Sequence, residues 1–76
     1  MTALSNGTSA NYKTLVDEAS STVTYVGYAL PGTVTSAVDW RVKRLTESGN
    51  DLNVEWADGD DLFDNVWDNR AALSYS

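Results

Sequence analysis

The chain has 76 residues, with eleven Asp and Glu against five Lys and Arg, a formal charge of −6, and neither Cys nor His. That length makes one domain at most, burying only ~60% of the surface that its unfolded form exposes, so the core is marginal. The missing Cys and His exclude disulfide bracing and the usual nitrogen–sulfur zinc site, which leaves oligomerisation or docking onto a larger body as the simplest compensation. The acidic balance also argues against binding nucleic acid through phosphate neutralisation. Seven Tyr and Trp residues supply large contact area of the kind enriched at interfaces. No segment reaches the length of a transmembrane helix. Residues 1–11 have neither a basic start nor an apolar run, so they do not read as a signal peptide. In that setting the Asn6-Gly7-Thr8 sequon reads as a turn rather than a glycosylation site.

In chain order, residues 1–19 read as a flexible N-terminal arm and residues 20–76 as a small β-rich domain. The arm opens on Ser, Thr, Asn, Gly and Ala, with little to bury. Tyr12, Leu15 and Val16 then fall on one side of a weak helical pattern across residues 12–19, too short to stand alone. Residues 20–30 are rich in β-branched and aromatic side chains and predict a strand. Gly27 inside it points to a bulge or a close approach of another backbone. Pro31-Gly32 has the chemistry of a type II turn.

The clearest unit is a hairpin with strands at about 38–46 and 52–58. Val38, Trp40 and Val42 alternate with Asp39, Arg41 and Lys43, and Leu52, Val54 and Trp56 alternate with Asn53 and Glu55. Glu47 to Asp51 reads as a five-residue loop. Pairing Thr46 with Leu52 would set Val42 opposite Trp56 on a buried face and Lys43 opposite Glu55 on a wet one. Leu45 breaks the alternation, marking a bulge or apolar contact on the second face of the sheet. Asp58-Gly59-Asp60-Asp61 turns the chain again. Leu62, Phe63, Val66 and Trp67 suit one face of a short helix or helical turn near 61–68, with Asp60 or Asp61 as its cap. Residues 71–76 read as a final short strand. Because the last fifth of the sequence carries Trp67, Leu73 and Tyr75 and no polar tail, it is expected to be tied into a packed unit. The fold class is therefore mostly β, a small antiparallel sheet or sandwich.

Nothing in the chain assembles into catalytic chemistry. Without His or Cys there is no ordinary nucleophile–base pair for the many Ser and Thr. The glycines lie in turns and a strand and form no phosphate loop. Asp58, Asp60, Asp61 and Asp64 are hard oxygen ligands, but their spacing does not match a calcium loop, and a turn with an acidic helix start explains them. Paired carboxylates beside exposed Trp and Tyr raise glycoside chemistry, yet so short a chain has little room for a cleft. No catalytic residue, cofactor or metal is expected. The candidate interface residues are Tyr12, Leu15 and Val16 of the arm, the basic cluster Arg41, Lys43 and Arg44, and Trp67, Arg70 and Tyr75. The basic cluster stands just before a stretch from Glu47 to Asp68 that holds eight acids and no base. A solvated strand face is the plain reading of that cluster, and contact with an acidic neighbour is the sharper one. For Arg70 the plain reading is an ion pair with Asp64, Asp68 or the C-terminal carboxylate, and an intersubunit contact is the sharper one.

Several segments in order carry a resemblance: Tyr25-Val26-Gly27-Tyr28-Ala29-Leu30-Pro31-Gly32-Thr33, then Thr35-Ser36 with Trp40-Arg41-Val42-Lys43-Arg44, then Trp56-Ala57-Asp58-Gly59, then Phe63 through Tyr75. In this combination the chain resembles small proteins encoded among the structural genes of tailed bacteriophages, over roughly Val23 to Ser76. The resemblance implies a virion component of the head, neck or tail, made in the host cytoplasm and present in several copies. It would act by packing against itself and other virion proteins, without membrane or direct nucleic-acid contact. It carries no catalytic residues over. Two other classes stay open: a receptor- or glycan-binding module at a fibre tip, and a small acidic inhibitor that mimics nucleic acid.

Overall fold

The structure, a computed structural model, describes residues 11–76. It is mostly β, as the alternation predicts. Four strands, β1 (Lys13–Glu18), β2 (Val23–Ala29), β3 (Arg41–Ser48) and β4 (Asp51–Trp56), form one antiparallel sheet in the order β1-β2-β3-β4. A 3-10 helix at Trp67–Ala72 follows.

Each connection has a local cause. At the β1–β2 turn the Ser20 hydroxyl accepts from the backbone N–H groups of Thr22 (3.3 Å) and Val23 (3.1 Å), a side-chain substitute for missing ladder bonds. Leu30-Pro31-Gly32-Thr33 closes with the Thr33 N–H on the Leu30 carbonyl at 3.1 Å and Gly32 at φ 89°, the expected type II geometry. Asp58 and Gly59, with φ of 62° and 73°, turn the chain from Ala57 to Asp60 as a type I′ turn does.

Three expectations are corrected. The helical turn at residues 12–19 is strand β1, paired with β2 from Lys13↔Ala29 to Glu18↔Thr24. Residues 13–18 therefore belong to the sheet. Residues 1–10 of the expected arm lie outside the described residues. The hairpin forms, but its register is shifted by one: Lys43 faces Trp56, Arg44 faces Glu55 and Leu45 faces Val54, ending at Ser48↔Asp51. Its loop is the two-residue Gly49-Asn50 with Gly49 at φ 63°, a type II′ turn whose twist matches that of the flanking strands. The helical turn starts at Trp67 instead of Asp61, and Asp60 caps a turn by accepting from the Leu62 N–H at 3.0 Å.

A one-residue slip exchanges the two faces of β4. One face of the sheet carries Leu15, Asp17, Tyr25, Gly27, Ala29, Val42, Arg44 and Glu55; the other carries Val16, Val26, Tyr28, Arg41, Lys43, Leu45, Val54 and Trp56. The first face is covered by the last ten residues of the sequence. Trp67 lies on Gly27 and beside Trp40, ring centroids 5.9 Å apart. Ala29, Trp40, Val42, Ala57 and Trp67 form the core, flanked by Leu15, Tyr25, Leu73 and Tyr75. Burying the ~150–250 Å² of a tryptophan is worth roughly 4–6 kcal/mol as an upper bound, a large share of the stability of so small a domain. Backbone bonds fix the cover at both ends: the Asp68 N–H donates to the Thr35 carbonyl (3.1 Å), and Trp56 and Ser76 exchange N–H···O bonds at 3.1 Å. The last fifth of the sequence is thus tied in, with Tyr75 bridged to Ala57 in place of a full strand.

Gly27 owes its identity to this contact. A Cβ there would fall 2.7 Å from Trp67 Cζ3 and 3.2 Å from Trp40 Cε3, and nearer still to Trp67 Cε3. The close approach expected from Gly27 is that of an indole ring, and the β2 pairing runs through it without a bulge. Gly27→Ala is expected to cost about 1–3 kcal/mol through overpacking. The penalty should shrink in a Trp67→Leu background, where the ring is gone. Urea denaturation of the two single variants and the double variant checks this as a double-mutant cycle; additive losses would show that the ring does not set the identity of residue 27. Deleting residues 1–19, which removes β1, should abolish the cooperative thermal transition, because β2 would become an edge and Arg70 would lose Asp17.

Candidate interaction surface

The second face of the sheet has no layer packed on it among the described residues. It runs in rows set by the strand register. Thr14, Tyr28 and Arg41 form one row, and Val16, Val26, Lys43 and Trp56 the next. Glu18, Thr24, Leu45 and Val54 follow, and the hairpin ends the face with Glu47 opposite Leu52. Val16, Val54 and Leu52 are exposed by 61%, 50% and 55%. Isolated exposed apolar residues need no explanation, but a contiguous stripe across a sheet marks a contact surface.

The basic end of this face is built from rings. The Arg41 guanidinium lies 4.9 Å from the Phe63 ring centroid, 5.1 Å from Tyr28, 5.4 Å from Trp56 and 5.9 Å from Tyr12. Lys43 Nζ sits between Tyr28 and Trp56 at 5.4 and 5.5 Å. Each such contact is worth ~0.5–1 kcal/mol where water has access, and the long apolar stems of both side chains cover ring surface. Among the described residues neither base has an acidic partner, and Arg41 Nε is buried without a hydrogen bond. The ion pairs are elsewhere, on the covered face: Arg44 with Glu55 at 2.7 Å and Arg70 with Asp17 at 2.9 Å.

This divides the residues singled out from the sequence. Tyr12, Val16, Arg41 and Lys43 belong to the uncovered face or its rim. Leu15, Arg44, Trp67, Arg70 and Tyr75 hold the cover to the sheet: Arg70 stacks on Trp67 at 4.6 Å and Arg44 on Tyr75 at 4.7 Å, and the Tyr75 hydroxyl donates to the Arg70 carbonyl at 2.7 Å. The Arg70 pair is with Asp17 of β1, not with Asp64 or Asp68. Trp56, expected in the core beside Trp40, is half-buried on the open face. Tyr28, Leu52, Val54 and Phe63 also belong to that face or its rim; Leu45, paired with Val54, was their signal in the sequence. Asp60 and Asp64 serve local bonds, Asp60 to the Leu62 N–H and Asp64 from the Asn65 side-chain amide at 3.1 Å.

At the rim a shallow cavity of about 370 Å³ is lined by Tyr12, Leu30, Thr33, Asp39 and Phe63. Leu30 and the rings of Tyr12 and Phe63 give it an apolar character, and Asp39 and Thr33 a polar one. Comparison with protein-family models, with curated proteins and with solved structures returned no match.

The covered face makes one prediction about pH. Burial, with Tyr25 nearby, pushes the Tyr75 phenol up to about 12, against the opposing pull of Arg44 and Arg70. The neutral phenol is therefore the form the fold favours. Its contribution to stability is present below the unfolded value of 10.0 and is lost as pH rises towards about 12. Phenolate absorbance should show a late component near pH 12 that disappears in Tyr75→Phe, and the fall of melting temperature between pH 10 and 12 should be shallower in that variant. A titration in which Tyr75→Phe removes a component at pH 10 would contradict the buried hydroxyl.

Proposed function

We propose that the chain is a non-enzymatic structural component of a tailed-phage virion, held in the particle by burial of its uncovered sheet face. The carrying observation is that face: an apolar stripe of Val16, Leu45, Leu52 and Val54 ends on two bases, Arg41 and Lys43, that sit among aromatic rings without an acidic partner among the described residues. A domain with one small core and an unfinished second layer gains stability when a neighbour completes that layer. The resemblance of residues 23–76 to small products of phage structural genes supplies the setting, a head, neck or tail position reached after synthesis in the host cytoplasm. Its partners would be other virion proteins and further copies of itself.

A second reading, a receptor- or glycan-binding module at a fibre tip, draws on the rim cavity, where Tyr12 and Phe63 lie 5.2 Å apart beside Asp39. Rings next to a carboxylate are the elements with which a sugar ring is stacked and hydrogen-bonded. Quantitative mass spectrometry of purified particles separates the two. A fixed copy number that falls with Val54→Asp but not with Phe63→Ala supports the structural role. Absence of the chain from particles would end it, and saturable binding on a glycan array that depends on Phe63 would favour the second reading.

A further inference from the structure

We infer that the uncovered face is occupied by a second copy of the same chain, giving a two-fold, face-to-face β-sandwich in which strand directions are reversed. The argument is self-complementarity. Along β3 the face reads Arg41, Lys43, Leu45, Glu47, two bases, an aliphatic and an acid, and β1 adds Glu18 at the same end as Glu47. Neither Glu18 nor Glu47 has a basic partner among the described residues, just as Arg41 and Lys43 have no acidic one. A two-fold axis lying in the interface across the strands, between the Lys43 and Leu45 rows, lays each row on its mirror row. Arg41 of one copy then meets Glu47 of the other, twice by symmetry. Trp56 meets Val54, and Lys43 lies over Leu45 beside Glu47. An in-plane axis parallel to the strands would instead set like charges at the same end. The chain thus carries both halves of the contact, as an isologous interface requires. Stacking sheets ~10 Å apart is the usual completion of a sheet with one bare apolar face.

The size of the face sets the strength. Four strands and seven residues along β3 give a patch roughly 20 Å on a side, about half of the ~800 Å² per partner of a stable interface. The pair should therefore form at high micromolar concentration and separate on dilution, and higher ionic strength should weaken it through the screened Arg41–Glu47 pairs. The inference rests on the reading of this face as a docking surface. It does not rest on the virion setting, since the purified chain alone should dimerise.

The test is sedimentation equilibrium of the full chain and its variants up to about 1 mM, the range a half-sized interface demands, with circular dichroism and melting of each variant to establish folding. Val54 and Glu47 are exposed and lie outside the core, so Val54→Asp and Glu47→Arg should fold and weaken association at least about tenfold. Val34→Asp, exposed but off the sheet, should leave it unchanged. Adding Arg41→Glu to Glu47→Arg should restore the dimer by exchanging the charges. Should that double variant not fold, raising the salt concentration on the parent chain reads the same pairs, and salt-insensitive association would count against them. A chain that stays monomeric at 1 mM, or a dimer indifferent to Val54→Asp, overturns the inference. A folded charge-exchanged variant that remains monomeric overturns the reversed orientation.

Discussion

The contact on which the rest of the molecule depends is the Trp67 indole lying on Gly27. A strand residue without a Cβ lets a flat ring settle against the backbone of β2 and reach Trp40, so that two large side chains fill the space over a narrow sheet. From there the cover follows. With Trp67 seated, the 3-10 helix brings Arg70 onto the indole and within 2.9 Å of Asp17, tying the end of the sequence to edge strand β1. The turn beyond places Tyr75 over Tyr25 and Arg44. These polar bonds are half-exposed and individually small. They orient a cover that apolar burial holds, and they would have nothing to orient without the ring.

Among the described residues the sheet has one cover. Among the described residues, the segment after β4 covers Gly27, Val42 and Ala57 and touches the opposite face only at its rim, through Phe63, so that Val16, Val54 and Leu52 remain exposed. The exposure is uneven in a telling way. Near the cavity Arg41 is wrapped by four rings and Lys43 by two, whereas the far end carries aliphatics with Glu18 and Glu47, which have no basic partner among the described residues. Cations stacked on rings stay accessible to an anion approaching from above, because a ring face satisfies charge without consuming hydrogen-bond donors. The face therefore has direction: it presents donors at one end and acceptors at the other, over an apolar middle.

Much of the architecture is legible in the residues. Alternation marks the β3–β4 hairpin, Pro31-Gly32 marks the turn that follows β2, and the aromatic last segment marks a docked end. The register is the instructive failure. The expected register, with Val42 opposite Trp56, has a rival because β3 is apolar at both Val42 and Leu45, positions of opposite parity. Matching Val42 with Trp56 satisfies one face, and matching Leu45 with Val54 and Arg44 with Glu55 satisfies the other. Turn chemistry decides between them. Gly at the first central position of a two-residue loop closes a type II′ turn tightly, whereas five loop residues leave the ends free to slip. Read that way, Gly49-Asn50 sets Ser48 against Asp51 and moves Trp56 out of the core. Strand β1 failed for a different reason. Tyr12, Leu15 and Val16 carry too little local preference to separate helix from strand, and the groups that choose are distant: the free edge of β2 and the Arg70 guanidinium.

The interaction surface was the least visible part, because it is defined by what does not cover it. Arg41 and Lys43 stand out as a cluster, but their meaning depends on Tyr28, Trp56 and Phe63, which come from three other parts of the chain and converge only in the folded sheet. The one-residue register error also sent Trp56 and Val54 to the wrong side and so erased the stripe. Hence the same two residues, Gly49 and Asn50, that fix the hairpin also determine which side chains β4 lends to the face left open among the described residues: with a longer loop and a slipped register, Trp56 would join Trp40 inside, and Lys43 would meet Glu55 on a polar outer surface. A tight turn is what turns an ordinary half-buried hairpin into one half of a contact.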